Sequence, residues 1–156
     1  MAVLATQACQ RVEVALTTDE RAVNDDQKIR DYLAAKGVVN YARSNAGTYV
    51  VIDSAQPAAP LIRNGQFVFL RYRGYFPGTE ATAFDSNTVA TQPLFSFIVG
   101  QSGLVINGWQ DAIKYFRPGE RGRMFIPSGL AYGATGNARI PANQILVFDI
   151  KILRVQ

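Results

Sequence analysis

LVINGW, at residues 104–109, contains the only tryptophan of the 156-residue chain. Glycines flank this apolar run and Arg117-Pro118-Gly119 follows it, which predicts a tight turn into a short helix over residues 108–115. The helix cannot pass Pro118, because proline has no amide hydrogen to donate to the preceding turn. Apolar residues at i, i+3, i+4 and i+7 from Trp109 form one helix face. This face needs a cover, which strands after residue 60 can supply.

Alternating and β-branched residues predict the strands of one sheet. The pattern is clearest after Asn64-Gly65, where Val68, Leu70 and Tyr72 alternate with residues on the opposite face. The same criteria predict strands over 48–53, 66–76, 94–99, 121–126 and 145–155. Strands in series with one short helix, and without a strand-helix-strand rhythm, indicate an antiparallel α+β fold.

A second helix is predicted over residues 25–36, ahead of the first strand. Asn24 and the two aspartates after it supply a cap and first-turn acids, and Gly37 ends the helix. Residues 1–23 show no sustained period, which predicts a frayed or weakly helical segment. The helix has an apolar stripe that must pack on the main fold or on a partner, formed by Ile29, Tyr32 and Leu33.

Composition limits the chemistry that the chain can perform. It has no histidine, which excludes histidine-dependent catalysis, and its single cysteine, Cys9, excludes an internal disulfide. We expect no metal and no cofactor. No segment reaches the roughly 18 apolar residues of a membrane span, and no signal peptide is visible after Met1.

The positive charge is scattered along the chain. The formal net charge is +4, without a run of lysine or arginine, so we expect no binding to nucleic acid. Four arginines are spaced by two on predicted strands, as on a solvated sheet face: Arg71, Arg73, Arg121 and Arg123.

Several short blocks occur in a fixed order along the chain. They are RYRG at 71–74, FDS at 84–86, FSFIVG at 95–100, VINGW at 105–109, AYGATG at 131–136, IP at 140–141 and LVFDI at 146–150. Together they resemble the FKBP-type peptidyl-prolyl cis-trans isomerases over about residues 48–155. The resemblance implies an α+β fold with a twisted antiparallel sheet of five or six strands around one short helix. It divides the chain into an N-terminal extension, 1–47, and an isomerase domain, 48–156.

The resemblance also implies a proline-binding pocket with Trp109 as its floor and the Ile106 amide as donor to a substrate carbonyl. The residues implied as catalytic are Asp85, Tyr132, Trp109 and Phe148, and those implied to bind substrate are Tyr72, Phe84, Phe95, Val105, Ile106 and Ile140. Without the resemblance, most of the apolar members would be interpreted as core, because such residues at strand spacing are usually buried. Asp85 and Tyr132 differ, since polar groups beside an apolar set are typical of a ligand pocket.

The implied function is faster rotation about X-Pro bonds in folding proteins, by noncovalent binding of the twisted amide. The implied partners are proline-containing polypeptides, tacrolimus or rapamycin, and a second copy of the chain through the N-terminal helix. The N-terminal pattern resembles that of exported bacterial members. One alternative is a proline-peptide binding module or chaperone with little turnover, which contacts partners through residues 1–47. A structural role is the other.

One departure from the family pattern concerns Asp85. The family often has an arginine that pairs with this aspartate, whereas residues 87–94 contain no basic residue. Asp85 would then be held by Tyr72 alone or by a distant arginine such as Arg139. The loop after AYGATG also differs, which concerns substrate preference and drug affinity more than the fold.

Overall fold

The computed structural model describes residues 16–156, in which seven strands form one antiparallel sheet. The helices and strands are Thr18–Ala35 (α1), Ala42–Arg43 (β1), Tyr49–Ser54 (β2), Phe67–Tyr75 (β3), Asp85–Ser86 (β4), Phe95–Ile98 (β5), Asn107–Ala112 (α2), Arg121–Ile126 (β6) and Leu146–Val155 (β7). The sheet order is β1-β2-β6-β7-β3-β4, and β5 also pairs with β3. Within residues 16–156, no helix is both long enough and apolar enough to cross a membrane.

The predicted fold class is confirmed. The long strands lie within two residues of their predicted bounds. The sheet has more strands than the five or six expected, because β1 and β4 have two residues each and are too short to show a period. Residues 1–15, which include Cys9 and most of the segment predicted to be frayed, lie outside the described residues.

The inner face of the sheet packs around α2. Trp109 is 4% exposed and Ala112, Ile113 and Phe116 are fully buried, so the helix face predicted from the spacing is confirmed. The predicted single helix is divided, since α2 ends at Ala112 and a 3-10 turn covers Ile113–Tyr115. Such tightening is common at the last turn of a helix.

The outer face of the sheet is partly covered by α1. Ile29 and Leu33, both 1% exposed, pack with Tyr49, Phe125 and Val147 in a second apolar cluster. Of the two positions considered for this helix, the structure shows docking on the main fold. The part of the outer face that α1 does not cover carries the arginines predicted for a solvated face. One of them, Arg123, pairs with Asp53 at 2.8 Å.

The start of α1 differs from the prediction of residue 25. The helix begins at Thr18, because Thr17 and Glu20 form a capping box in which each side chain accepts a hydrogen bond from the other's backbone N–H. The two distances are 3.3 Å to the Thr17 hydroxyl and 2.8 Å to the Glu20 carboxylate. Asn24 and the two aspartates after it therefore lie inside the helix.

Glu80 connects the C-terminal end of α1 to the turn after β3, and this contact predicts that the stability of the fold depends on pH. The Glu80 carboxylate accepts hydrogen bonds from the Tyr32 hydroxyl and from Lys36 Nζ, the latter at 2.9 Å. These two partners lower the pKa of Glu80 from 4.5 to about 2. The lowered pKa adds stability above pH 4.5, and that stability is lost as the pH falls towards about 2.

We therefore expect Glu80→Gln to flatten the pH dependence of unfolding in this acid range. Urea unfolding of wild type and variant between pH 2 and 4.5 measures the effect. Parallel curves for the two proteins in that range would contradict the assignment.

Candidate active site

A cavity of about 210 Å³ opens on the inner side of the sheet, beside the start of α2. Its lining residues are Tyr72, Phe84, Asp85, Phe95, Leu104, Val105, Ile106, Trp109, Tyr132 and Phe148. The structure thus brings together every predicted site residue except Ile140, which is 4% exposed and belongs to the main core. Leu104 lines the cavity and was missed by the sequence analysis, although it opens the LVINGW stretch.

A wider groove of about 600 Å³ lies on the outer face of the sheet and shares only Tyr72 with the cavity. Charged side chains are prominent around it, including Arg71, Arg121 and Lys151. Apart from Tyr72, it contains none of the clustered aromatic rings that a proline ring would contact. We therefore assign the smaller cavity, and not this groove, as the candidate active site.

Trp109 forms the floor of the cavity and is held by four aromatic neighbours, of which Phe97 is tilted and the other three stand nearly perpendicular to it. Its ring centroid lies 5.0 Å from Phe148, 5.3 Å from Tyr72 and 5.5 Å from Phe95. All three pairs are close to perpendicular, at 85°, 84° and 80°. Edge-to-face packing of this kind is favourable beyond the burial of area. The floor is therefore rigid and apolar.

Gly74 allows two walls of the cavity to meet. A Cβ atom at this position would lie 2.7 Å from the rings of both Phe84 and Phe148. Because Gly74 has no Cβ atom, those two rings pack edge to face, with their centroids 5.7 Å apart and an interplanar angle of 89°. The glycine of the RYRG block is thus required by close side-chain packing.

The Ile106 backbone presents a donor at the cavity. Ile106 precedes the first turn of α2, and its carbonyl accepts the Trp109 N–H at 3.0 Å. Its own N–H donates to no other group within residues 16–156. An N–H beside an apolar cavity and without an internal partner is suited to a carbonyl oxygen of a bound peptide.

Asp85 is placed at the rim by β4, where it pairs with Gly74 of β3. The Tyr72 hydroxyl donates to Asp85 Oδ2 at 2.8 Å. Burial raises the pKa of Tyr72 well above its ordinary value and the Asp85 carboxylate raises it further, so the hydroxyl stays protonated. Arg139 forms no ion pair with Asp85 among the described residues. Of the two alternatives, Tyr72 is the partner that the structure shows.

Tyr132 also lies at the rim of the cavity and is 39% exposed. It lies on the segment after β6, where the N–H of Gly136 donates to the Tyr132 carbonyl at 3.0 Å. The Tyr132 hydroxyl makes no hydrogen bond to another described residue. It is therefore free to bond a ligand.

Gln110 is a supporting residue that sequence reasoning missed. Its Oε1 accepts the Gly100 N–H at 2.7 Å, and its Nε2 donates to the Gln101 carbonyl at 2.8 Å. These bonds tie α2 to the turn after β5 and so hold the wall formed by Val105 and Ile106. A polar residue directly after the tryptophan of a short apolar helix was the available signal.

The fold and this site define a class of domain in which a short helix and a wrapped sheet enclose a small aromatic cavity with polar groups at its rim. The family described as FKBP-type peptidyl-prolyl cis-trans isomerase matches residues 59–153. The chain belongs to this family, which confirms the resemblance of its sequence blocks.

Three relatives show how far the likeness extends. FKBP-type peptidyl-prolyl cis-trans isomerase FkpA of Aeromonas hydrophila is 33% identical over 140 residues, covering 88% of this chain and 49% of its own length. Peptidyl-prolyl cis-trans isomerase Fkbp12 of Drosophila melanogaster is 35% identical over 111 residues, covering 70% of this chain and 99% of its own. The crystal structure of FkpA from Escherichia coli superposes with a TM-score of 0.68 at 26% identity, covering 88% of this chain and 62% of that one. The chain spans about half the length of the Aeromonas relative.

Proposed function

We propose that the chain is a prolyl isomerase that accelerates rotation about X-Pro bonds in polypeptides. The observation that carries the proposal is the aromatic cavity over Trp109, with the Ile106 N–H, Asp85 and Tyr132 around it. Family membership supports the same reaction. Its substrates are proline-containing polypeptides, with the proline ring on the indole.

The mechanism needs no covalent step. Rotation about the amide meets a barrier of about 18–20 kcal/mol, because the resonance of the C–N bond is lost in the twisted form. Water stabilises the planar, more dipolar amide, and an apolar cavity removes part of that stabilisation. A site that binds the twisted form more tightly than the planar form lowers the barrier.

Three groups supply this difference in binding. The Ile106 N–H holds a substrate carbonyl next to the proline, and the Tyr132 hydroxyl holds a second polar group of the substrate. The Asp85 carboxylate, already bonded to Tyr72 at 2.8 Å, adds a negative potential at the rim. As the amide twists, its nitrogen becomes pyramidal and more basic, and a nearby hydrogen-bond donor then stabilises it. The carbonyl carbon loses the electron donation of the nitrogen and becomes more positive, and the negative potential of Asp85 then stabilises it.

Asp85→Ala is expected to retain the fold and lower kcat/KM by about 10-fold, which corresponds to about 1.4 kcal/mol of transition-state stabilisation. The fold should persist because Asp85 is exposed and lies on a two-residue strand. Exchange NMR on Phe-Pro and Leu-Pro model peptides measures the rate, with and without rapamycin. Asp53→Ala is the matched control, since Asp53 is a carboxylate on the outer face that bonds Arg123 at 2.8 Å.

The outcome for wild type separates the isomerase from the binding module or chaperone. Accelerated exchange that rapamycin suppresses supports the isomerase and drug binding in the same cavity. An inert wild type whose peptide resonances still shift would favour a proline-peptide binding module or chaperone that contacts partners through residues 1–47. Equal rates for Asp85→Ala and wild type would remove Asp85 from the mechanism.

We also propose the division into residues 1–47 and 48–156, a location in the bacterial envelope and a homodimer through α1. The match to the Aeromonas relative over 88% of the chain supports the location, and the family match at 59–153 lies inside the proposed domain.

The proposed homodimer has an exposed apolar residue on α1. Val23 is 70% exposed, which leaves an apolar side chain for contact with a second copy. Sedimentation equilibrium of wild type beside Val23→Asp tests the dimer.

A further inference from the structure

Asp25 is a buried carboxylate that joins α1 to the segment after β6. It is 3% exposed, and its Oδ2 accepts hydrogen bonds from the Ser128 N–H at 2.8 Å and from the Ser128 hydroxyl at 2.6 Å. No ion pair to Asp25 occurs among residues 16–156. Burying an unpaired carboxylate is costly, so these two bonds must hold it in one geometry.

Ser128 in turn closes the turn that carries Tyr132. Its carbonyl accepts the N–H of Ala131 at 3.0 Å and of Gly133 at 2.8 Å. Tyr132 lies between these two donors, and the carbonyl of Gly133 accepts the Asn143 N–H at 2.8 Å. Hydrogen bonds to Ser128 and to Asn143 therefore fix the backbone on both sides of Tyr132.

The segment after β6 contacts α1 directly at Ser128–Leu130. A groove of about 400 Å³ separates the first turns of α1 from the segment, with Arg21 on one side and Leu130 on the other. The Asp25–Ser128 bonds cross beside this groove. Hydrogen bonds to a charged group contribute more than those between neutral groups, so the Asp25–Ser128 bonds strengthen the contact between α1 and this segment.

We propose that Asp25 is a positioning residue that, through Ser128, sets the place of Tyr132 at the rim of the cavity. The inference rests on the proposed isomerase function. It makes the N-terminal helix part of the working site, although the helix packs on the outer face of the sheet and the cavity opens on the inner side. Loss of the Asp25–Ser128 bonds should leave Trp109 in place at the floor of the cavity and displace the Tyr132 hydroxyl.

The first test compares Asp25→Ala with Asp26→Ala. Asp26 is the neighbouring carboxylate of α1 and accepts hydrogen bonds from Tyr49 at 2.7 Å and Arg43 at 2.8 Å, so it holds the helix to β1 and β2 instead. Asp25→Ala is expected to lower kcat/KM by about 10-fold, since a displaced polar group loses much of its effect. Asp26→Ala is expected to lower the stability of the fold and leave kcat/KM within about 2-fold of wild type.

A double-mutant cycle with Tyr132→Phe separates positioning from a general loss of structure. If Asp25 acts through the Tyr132 hydroxyl, Asp25→Ala should have little further effect once that hydroxyl is absent. Asp25→Asn should recover most of the activity, because its side-chain oxygen can still accept the Ser128 N–H. Additive losses in the cycle, or equal activities of Asp25→Ala and Asp26→Ala, would overturn the proposal.

Amide hydrogen exchange decides the proposal even if the wild type proves inert as an isomerase. The N–H groups of Ala131 and Gly133 should exchange at least about 10-fold faster in Asp25→Ala than in Asp26→Ala, because the turn opens when Ser128 loses its anchor. Unchanged protection of both amides would refute the positioning role. An inert wild type with faster exchange would refute only the isomerase function.

Discussion

Phe148→Ala is expected to lower kcat/KM for X-Pro isomerisation by about 100-fold while the chain remains folded. Phe148 forms a wall of the cavity and lies 5.0 Å from Trp109 and 5.7 Å from Phe84 between ring centroids. Its removal opens the cavity to water and releases the indole from one of its three perpendicular neighbours. Both changes weaken the binding of a twisted, less dipolar amide, which is the difference on which the rate depends.

Phe125→Ala is the matched control, because it separates activity from stability. Phe125 lies on the neighbouring strand β6, is 1% exposed and packs on the outer face against Tyr32 at 5.8 Å. Each substitution deletes a buried phenyl ring and should cost about 3–5 kcal/mol of unfolding free energy. Only Phe148 faces the cavity, so only Phe148→Ala should lose activity.

The measurement combines urea unfolding with peptide exchange rates for both variants. Similar unfolding free energies with a difference in rate of about 100-fold would confirm that the cavity, and not general stability, supports turnover. A Phe125→Ala protein with the same loss of rate as Phe148→Ala would show that activity follows the stability of the whole sheet.

The sheet was predictable from the sequence because its two faces differ. Val68 and Leu70 are fully buried on the inner face, as the alternation predicted. The cavity was not predictable in the same way, because a ring that lines a pocket and a ring that fills a core occupy the same strand positions. The resemblance to a family supplied that distinction, and it still included Ile140, which does not line the cavity.

The start of α1 shows a second limit of sequence reasoning. Asp25 was interpreted as a first-turn acid that favours the positive end of the helix. Because of the capping box at Thr17, the helix starts earlier, at Thr18. Asp25 is therefore the eighth residue of the helix, and its side chain accepts the Ser128 N–H instead. A contact across 103 residues of sequence has no local signal.

Gly108→Ala is expected to lower the free energy of unfolding by about 3 kcal/mol, at the upper end of the usual cost of overpacking. Helix propensity alone predicts the opposite, since alanine is favoured over glycine by about 1 kcal/mol inside a helix. The reason is the approach of α2 to β6. A Cβ atom at Gly108 would lie 2.2 Å from Ile126 Cγ2 and 3.1 Å from its Cδ1.

Ile126→Ala provides the test of this explanation, because it removes the atoms that the new methyl group would meet. Alone it should cost about 2–5 kcal/mol through the cavity that it leaves. In that background, Gly108→Ala should cost almost nothing, whereas two independent defects would add. Urea unfolding of the four proteins in the cycle measures the coupling.

The contact between Gly108 and Ile126 also sets the position of Trp109, the next residue. Gly108→Ala alone should therefore lose isomerase activity, and the double variant should regain part of it. Recovery of stability without any recovery of activity would mean that the indole is placed by its aromatic neighbours and not by the close packing of α2 on β6.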